Sequence, residues 1–210
     1  MFADFIVILD LIGVAVFAAT GALVASRKEL DLIGFGMMAT FTGIGGGTLR
    51  DVILDRPVFW VSDPRYLLVC LGIALLLFFF ASRVQRRYVA LLWADAVGLA
   101  AFAVMGTEIA RAAEVNPLIA IVLGLMTATF GGLARDLVAG ETPLLLKQEV
   151  YATAALASAT AYVITVDAVG ISRLIAACGA IIIGFGLRAG AIHYGWSLPR
   201  YRQRPGRTYK

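Results

Sequence analysis

The chain has 210 residues, of which 60% are hydrophobic and 15% are charged, with a formal net charge of +4 and a mean hydropathy of +0.87. Soluble domains use roughly 25% charged residues, so this composition excludes an ordinary water-soluble globular protein. Apolar stretches near the ~20 residues needed to cross a bilayer recur along the whole length. We therefore predict an all-α integral membrane protein, with one membrane domain over residues 1–190 and a basic tail over 191–210.

Seven membrane-spanning helices are predicted in chain order. Their approximate ranges are 5–25, 32–54, 66–81, 88–110, 118–138, 150–166 and 171–189. The third and the sixth are the shortest. Pro117, directly before the fifth, suits the first turn of a helix.

Basic residues lie mainly on one side of these helices. The connections after the first, third and fifth helices and the C-terminal tail hold most of the loop lysines and arginines. The opposite connections hold only Arg56, Arg65, Arg111 and Arg173. Because cytoplasmic loops carry the excess of Lys and Arg, the N-terminus is predicted outside and the C-terminus in the cytoplasm.

A shift of 85 residues aligns the chain with itself without a gap. DLIGVAVFAATGALVA from Asp10 aligns with DAVGLAAFAVMGTEIA from Asp95, and GGTLRD at 46–51 aligns with GGLARD at 131–136. Each copy contains three predicted helices, so the second copy enters the membrane from the opposite side. We therefore predict two inverted three-helix repeats, about 5–81 and 88–166, and a seventh helix without a counterpart.

Glycines are concentrated at matching places in the second and fifth helices. They are Gly43, Gly45, Gly46, Gly47, Gly131 and Gly132. Glycine lets the backbone leave helical geometry, so we expect a break or a sharp kink there in both helices. Freed backbone polar groups have to be buried in protein or line a wet cavity. Matching breaks in inverted repeats therefore predict a permeation or binding site.

Charged side chains accompany these glycines. They are Arg50 and Asp51, Arg135 and Asp136, with Asp10 and Asp95 in the first and fourth helices. A charge at mid-membrane costs about 2.5 to 3.5 kcal/mol, so it faces the interior and finds a partner. Neighbouring side chains point about 100° apart on a helix. We therefore expect each arginine to pair with the other repeat's aspartate, or with Asp10 and Asp95. Both a structural role and a role along an ion path remain open.

Three further features bear on function. Lys147 precedes the sixth helix on the predicted cytoplasmic side, where it either snorkels to the interface or guards a pore mouth. Glu108 has Leu23 as its counterpart and is expected to reach the outer interface. The sequence contains no Ser/His/Asp set, metal-ligand spacing or phosphate loop, so we predict neither an enzyme nor a cofactor.

The gapless repeats carrying GIGGGTLRD and FGGLARD, followed by one further helix, resemble the bacterial branch of the trimeric intracellular cation channel (TRIC) family over about residues 3–190. The resemblance implies a homotrimer in the bacterial inner membrane, with one pore in each subunit that conducts K⁺ in preference to Na⁺. It implies that Gly45 to Gly47, Gly131 and Gly132 kink the pore helices, and that the two Arg-Asp pairs lie beside the pore. The expected partners are other subunits, membrane lipids and monovalent cations, and no nucleic acid.

The sequence departs from the animal members of that family. Their basic lipid-binding motif on the second helix has no counterpart in residues 31–55, so phosphoinositide control is not expected. No TVGYG-like filter is present, so side chains, constriction and water are expected to give a modest selectivity. We expect an hourglass path at the glycine breaks. Arg50 and Arg135 are expected either to be neutralised by Asp51, Asp136, Asp10 or Asp95, or to move aside on gating. The alternative is a secondary transporter of a small solute such as glycine, since transporters share this repeat architecture.

Overall fold

The structure is a computed structural model that describes residues 2–84, 86–147 and 150–199, with side chains from residue 6 onward. Eight α-helices lie in these ranges: α1 Phe2–Arg27, α2 Leu32–Ile53, α3 Phe59–Ser62, α4 Arg65–Phe80, α5 Arg87–Ala112, α6 Pro117–Val138, α7 Ala152–Asp167 and α8 Arg173–Tyr194. Single 3-10 turns follow α4 at Ala81–Arg83 and α6 at Leu144–Leu146.

Local signals set several helix ends. The Asp31 carboxylate accepts a hydrogen bond from the Gly34 amide at 2.7 Å and caps α2. Asn116 caps α6, which begins at Pro117 as predicted. The helix ends lie within five residues of the predicted ones, and α3 is a single turn that was not predicted. Of the predicted tail, residues 191–199 are described and residues 200–210 lie outside the described part of the chain.

Six helices in the described ranges are long and apolar enough to cross a membrane: α1, α2, α4 with its 3-10 turn, α5, α6 and α8. Helix α7 has 16 residues, which is about 24 Å of helix against a hydrocarbon core of about 30 Å. Length therefore supports six spans. A seventh span through α7 stays a prediction.

Two three-helix bundles make up most of the protein. Helix α1 packs on α2 and α4, and α5 packs in the same way on α6 and α7. The bundles meet where α1 lies against α5 and α2 lies against α6. Helix α8 packs on α5 and α7, beside the second bundle.

The contact between α1 and α5 is reciprocal. Phe17 and Phe102 occupy equivalent positions in the two repeats, and their rings stack with centroids 5.1 Å apart and planes inclined by 14°. A Cβ added to Gly13 would lie 2.5 Å from the ring of Phe102, and one added to Gly98 would lie 2.8 Å from the ring of Phe17. Residues that touch their own counterparts lie beside a two-fold axis, as in an isologous dimer.

The ends of the helices show which way each bundle runs. The Arg27 guanidinium, at the end of α1, lies 5.1 Å from the ring centroid of Tyr88, at the start of α5, so these helices are antiparallel. Arg27 also pairs at 2.7 Å with Glu141, just after α6. This is the arrangement that an inverted repeat predicts. We call this end of the bundle, which also holds Arg86 and Lys147, the basic end.

Glycines of α2 and α6 lie where these two helices cross. A Cβ added to Gly46 would collide with the backbone carbonyl of Thr127, and one added to Gly131 would collide with that of Thr42. Both helices are continuous through their glycines, so neither is broken there, and a kink at these glycines stays a prediction. Glycine is needed here because the two backbones approach too closely for a side chain, as at other small-residue crossings of membrane helices.

The remaining glycines of α2 have separate neighbours. A Cβ added to Gly43 would lie 2.9 Å from the Cys70 sulfur, and one added to Gly47 would lie 2.6 Å from the ring of Phe59. At Gly45 the nearest atom would be the Cα of Gly131, at an ordinary van der Waals distance of 3.7 Å. Only some of the predicted glycines are therefore sterically required.

Candidate functional site

Each arginine of the two motifs pairs with the aspartate next to it. Arg50 donates from Nε to Oδ1 of Asp51 at 2.9 Å, and Arg135 donates from Nε to Oδ1 of Asp136 at 2.8 Å. The expectation that adjacent residues would not pair is wrong, because the long arginine side chain bends back to the carboxylate. The expected exchange of partners between Arg50 and Asp136, or Arg135 and Asp51, is not found in the described part of the chain.

The second oxygen of each aspartate holds the segment that follows the helix. Oδ2 of Asp51 accepts from the Phe59 amide at 3.0 Å, and Oδ2 of Asp136 accepts from the Leu144 amide at 2.8 Å. Phe59 and Leu144 are themselves equivalent under the shift of 85 residues. Each Arg-Asp pair thus fixes the end of its helix to the next connector, in the same way in both repeats.

The two pairs lie at opposite ends of the bundle, one near the end of α2 and one near the end of α6. All four side chains are buried, with Arg135 and Asp51 fully inaccessible. Removing one partner would leave a buried charge unpaired, which costs several kcal/mol, about 3 to 5 in known cases. The pairs are therefore structural elements as well as candidates for an ion path.

Beyond these pairs, the two repeats differ in how they hold the acid of their first helix. Arg135 donates from Nη1 to Oδ1 of Asp95 at 2.7 Å and to the Thr20 hydroxyl at 2.9 Å. The predicted pairing of an arginine with Asp95 is confirmed. Asp10 instead accepts from the Tyr66 hydroxyl at 2.9 Å, and no ion pair joins it to Arg50 in the described residues.

A difference at one pair of equivalent positions accounts for part of this asymmetry. Thr20 supplies a hydroxyl to Arg135, and its counterpart in the second repeat is Met105, which has none. Nη1 of Arg50 is buried without a hydrogen-bond partner among the described residues. Arg135 is thus held by three side chains, whereas Arg50 is held by Asp51 and lies 6.0 Å from the ring centroid of Phe59.

Polar atoms surround Gly132 on α6. A Cβ added there would lie 3.0 Å from the Tyr151 hydroxyl, 3.4 Å from Nη2 of Arg135 and 3.5 Å from Oδ1 of Asp95. One buried atom in this cluster, Nη2 of Arg135, has no hydrogen-bond partner in the described ranges, and the Tyr151 hydroxyl faces the Asp95 carboxylate. A small polar species with several hydrogen-bonding groups suits such a surface. At the equivalent Gly47 the ring of Phe59 occupies this position.

Lys147 lies at the basic end, after the Leu144–Leu146 turn. Its Nζ donates to the Tyr88 hydroxyl at 2.8 Å and lies 5.3 Å from the centroid of the same ring. The Lys147 side chain thus contacts α5 and does not contact either Arg-Asp pair. Whether it guards a pore mouth stays a prediction.

The sequence did not predict an ion cluster around Glu108 at the opposite end. Glu108 accepts from the Tyr162 hydroxyl at 2.6 Å and from Nη1 of Arg173 at 2.9 Å, and Arg111 bridges it to Asp167. This cluster ties α5 to α7 and to the start of α8. The available signal was that the first repeat, which has no counterpart of α8, carries leucine at the equivalent position.

The chain matches known proteins along most of its length. The family model described as Glycine transporter matches twice, over residues 7–82 and 92–167, again 85 residues apart. A UPF0126 membrane protein of Vibrio cholerae is 38% identical over 92% of this chain and 82% of that protein. The UPF0126 inner membrane protein YadS of Escherichia coli K12 is 35% identical over 92% of this chain and 94% of YadS.

Solved structures agree with these matches. The TRIC trimeric intracellular cation channel orthologue from Rhodobacter sphaeroides superimposes with a TM-score of 0.89 and 50% identity, covering 91% of this chain and 99% of that one. A prokaryotic TRIC channel crystallised in 0.5 M KCl superimposes with a TM-score of 0.87 and 30% identity, covering 94% and 100%. This multi-pass membrane protein therefore belongs to the bacterial branch of the TRIC family.

Proposed function

We propose that the protein is a monovalent cation channel that conducts K⁺ in preference to Na⁺, with one pore in each subunit lined by α2 and α6. The observation that carries this proposal is the buried Arg-Asp pair at the end of each of these helices. Ionisable groups inside a membrane protein mark ion paths or the contacts that control them. The structural neighbours described as cation channels support the same function.

The polar cluster around Gly132 supports a hydrated path beside α6. Its oxygen atoms can replace part of the water around a cation, and its buried polar groups gain partners when water enters. No ring of backbone carbonyls of the TVGYG type is encoded, so the preference for K⁺ is expected to be modest. The permeant ion is the only small partner proposed, without a cofactor.

An unpaired arginine beside the pore would repel cations, so its neutralisation is central to the mechanism. The repeats hold the first-helix acid in two arrangements, Asp95 on Arg135 and Asp10 on Tyr66. We infer that, on gating, the first-helix aspartate of a repeat switches between a pair with the arginine and a hydrogen bond with the tyrosine. An arginine that shares two carboxylates can then move its charge without becoming unpaired in a low dielectric.

The assembly and location follow the same proposal. The subunits form a homotrimer in the bacterial inner membrane, in contact with lipid, with the N-terminus outside and the C-terminus in the cytoplasm. The word trimeric in the description of the Rhodobacter sphaeroides protein and the inner-membrane description of YadS support these assignments. The basic end is then the cytoplasmic end.

Recording from the purified protein in a planar bilayer, with unequal KCl on the two sides, tests the proposal. Discrete current steps that reverse near the K⁺ equilibrium potential are expected. Changing both Arg50 and Arg135 to alanine should alter conductance, open probability or trimer stability. If all three stayed unchanged, the mechanism built on the arginines would be wrong.

A secondary transporter of a small solute such as glycine is the second candidate, and the description of the matching family model favours it. Two repeats in different arrangements also suit alternating access. Saturable, gradient-driven uptake of glycine into liposomes, without current steps, would favour the transporter. Current that rises without saturation would favour the channel.

A further inference from the structure

A concave basic pocket opens at the basic end, between the end of α1, the 3-10 turn after α4 and the start of α5. It has a volume of about 550 Å³, and its polar lining comes from Arg27, Ser82, Arg86, Arg87 and Tyr88. None of these residues belongs to the Arg-Asp pairs or to the polar cluster around Gly132. The pocket is therefore distinct from the Arg-Asp pairs and from the polar cluster, although its Tyr88 hydroxyl accepts from Lys147.

Two of the three arginines are held in place by the protein. Arg87 donates from Nε to the Ala81 carbonyl at 3.0 Å and from Nη1 to the Ser26 carbonyl at 3.3 Å. These carbonyls carry no net charge, and Arg87 forms no ion pair with any described residue. Arg27 pairs with Glu141, but its Nη1 is buried without a hydrogen-bond partner in the described ranges. Arg86 is exposed at the pocket. The pocket thus presents more positive charge than its described neighbours neutralise.

The position of this excess positive charge, at the start of α5, indicates what kind of ligand the pocket binds. Arg86 is the N-cap residue and Arg87 is the first residue of the helix, which has neither a side-chain cap nor an acid in its first turn. Cations are unfavourable at a helix N-terminus, by about 0.3 to 1 kcal/mol each, whereas an anion there is stabilised by the helix dipole and the open amide groups. Arginines and a free helix start together favour an anion, and guanidinium groups match phosphate in particular.

Apolar surface beside the pocket indicates where this anion comes from. Phe79 and Phe80, at the end of α4, are 62% and 49% exposed, and Val89, which lines the pocket, is 42% exposed. The Arg83 guanidinium lies 4.7 Å from the centroid of the Phe80 ring, as a cation does when it leaves the hydrocarbon region beside an aromatic side chain. The pocket therefore lies at the depth of lipid head groups, with acyl-chain surface next to it.

We propose that this pocket binds the phosphate of an anionic phospholipid, with Arg86 and Arg87 as the main ligands and the acyl chains along the exposed apolar end of α4. The site does not depend on whether the protein is a channel or a transporter. It also does not require the basic second-helix motif that this sequence lacks.

Native mass spectrometry of the delipidated full-length protein in detergent tests the proposal. The probes are dioleoylphosphatidylglycerol, dioleoylphosphatidylcholine and inorganic phosphate. We expect one phosphatidylglycerol per chain to be retained in preference to phosphatidylcholine, and an excess of inorganic phosphate not to displace it. Arg86→Gln and Arg87→Gln should each weaken retention, Arg86→Gln by about fivefold, the contribution of one cation near an anionic lipid surface.

Arg83→Gln is the matched control, because it removes the same charge from the same end of the protein but from a side chain that does not line the pocket. It should leave retention unchanged. Equal weakening by Arg83→Gln and Arg86→Gln would overturn the pocket in favour of general surface attraction. Displacement of the lipid by inorganic phosphate would overturn the lipid as ligand. Thermal unfolding in the same detergent shows that each variant is folded, and the exposed Arg86 is not expected to affect it.

Discussion

Arg135 and Asp95 form an ion pair of 2.7 Å that joins α6 to α5 with both side chains fully buried. The equivalent residues of the first repeat, Arg50 and Asp10, do not make this contact, and Asp10 accepts from Tyr66 instead. The equivalent aspartates of the two repeats are thus buried against different partners. The difference gives a direct test of what each acid contributes.

Asp95→Asn should destabilise the protein more than Asp10→Asn. The first change leaves the buried Arg135 with less negative charge beside it, a loss of up to about 3 to 5 kcal/mol for a buried ion pair. The second keeps an oxygen that accepts from Tyr66, so about 1 kcal/mol is expected. Unfolding of both variants in detergent, followed by circular dichroism, measures the difference. Equal losses would show that the observed asymmetry has no energetic weight.

The glycines at the crossing of α2 and α6 should respond differently from their neighbour. Gly46→Ala and Gly131→Ala each place a methyl group on a backbone carbonyl, so we expect a loss of about 1 to 3 kcal/mol from overpacking. Gly45→Ala is the control, since its Cβ has room and alanine is favoured within a helix by about 1 kcal/mol. Thermal unfolding should separate the three variants. A loss at Gly45 as large as at Gly46 would point to a need for backbone freedom rather than for close packing.

Gly132→Ala should reduce unitary conductance if the path runs beside α6. Its methyl group would lie 3.0 Å from the Tyr151 hydroxyl and take space within the polar cluster. Single-channel recording at fixed KCl measures the effect. Leu133→Ala, at the next position of the same helix, is the control for a general effect of substitution on α6. Unchanged conductance in a folded Gly132→Ala channel would place the path elsewhere.

Glu108→Gln should loosen the start of α8. Glutamine can still accept from Tyr162, but it no longer neutralises Arg111 and Arg173. Hydrogen exchange at residues 168–176 should rise. Asp63→Asn is the control, because its pair with Arg65 is exposed and screened by solvent, so it contributes little to stability. No rise in exchange after Glu108→Gln would show that apolar packing alone holds α8.

Much of the fold could be predicted from the sequence because lipid imposes a simple rule on composition and helix length. The shift of 85 residues gave the repeat, and Phe17 and Phe102 meet as its symmetry requires. The role of the glycines was harder to predict, because glycine is compatible both with a broken helix and with a close helix crossing. The sequence alone does not show whether another helix packs against them. Gly46 serves the crossing.

The site was predicted by residue but not by pairing. On a helix the side chains of Arg50 and Asp51 start in different directions, yet the arginine is long enough to turn back to the carboxylate. Asp51 also lies near the end of α2, where the amide of Phe59 in the following segment is free to donate to it. Arg135 has a hydrogen-bond partner that Arg50 lacks, the hydroxyl of Thr20, which is 115 residues away in the sequence. No local pattern marks such a contact.

The face-to-face contact of Phe17 with Phe102 also bears on how such a protein could arise. Two separate copies of one three-helix unit, inserted in opposite orientations, would already bring this phenylalanine against itself at their interface. Fusion through the helix connection near residue 85 would then let the two halves differ, as Thr20 and Met105 differ in this chain. Residues 1–84 and 86–210, produced as two polypeptides in one cell, should accordingly find each other in the membrane.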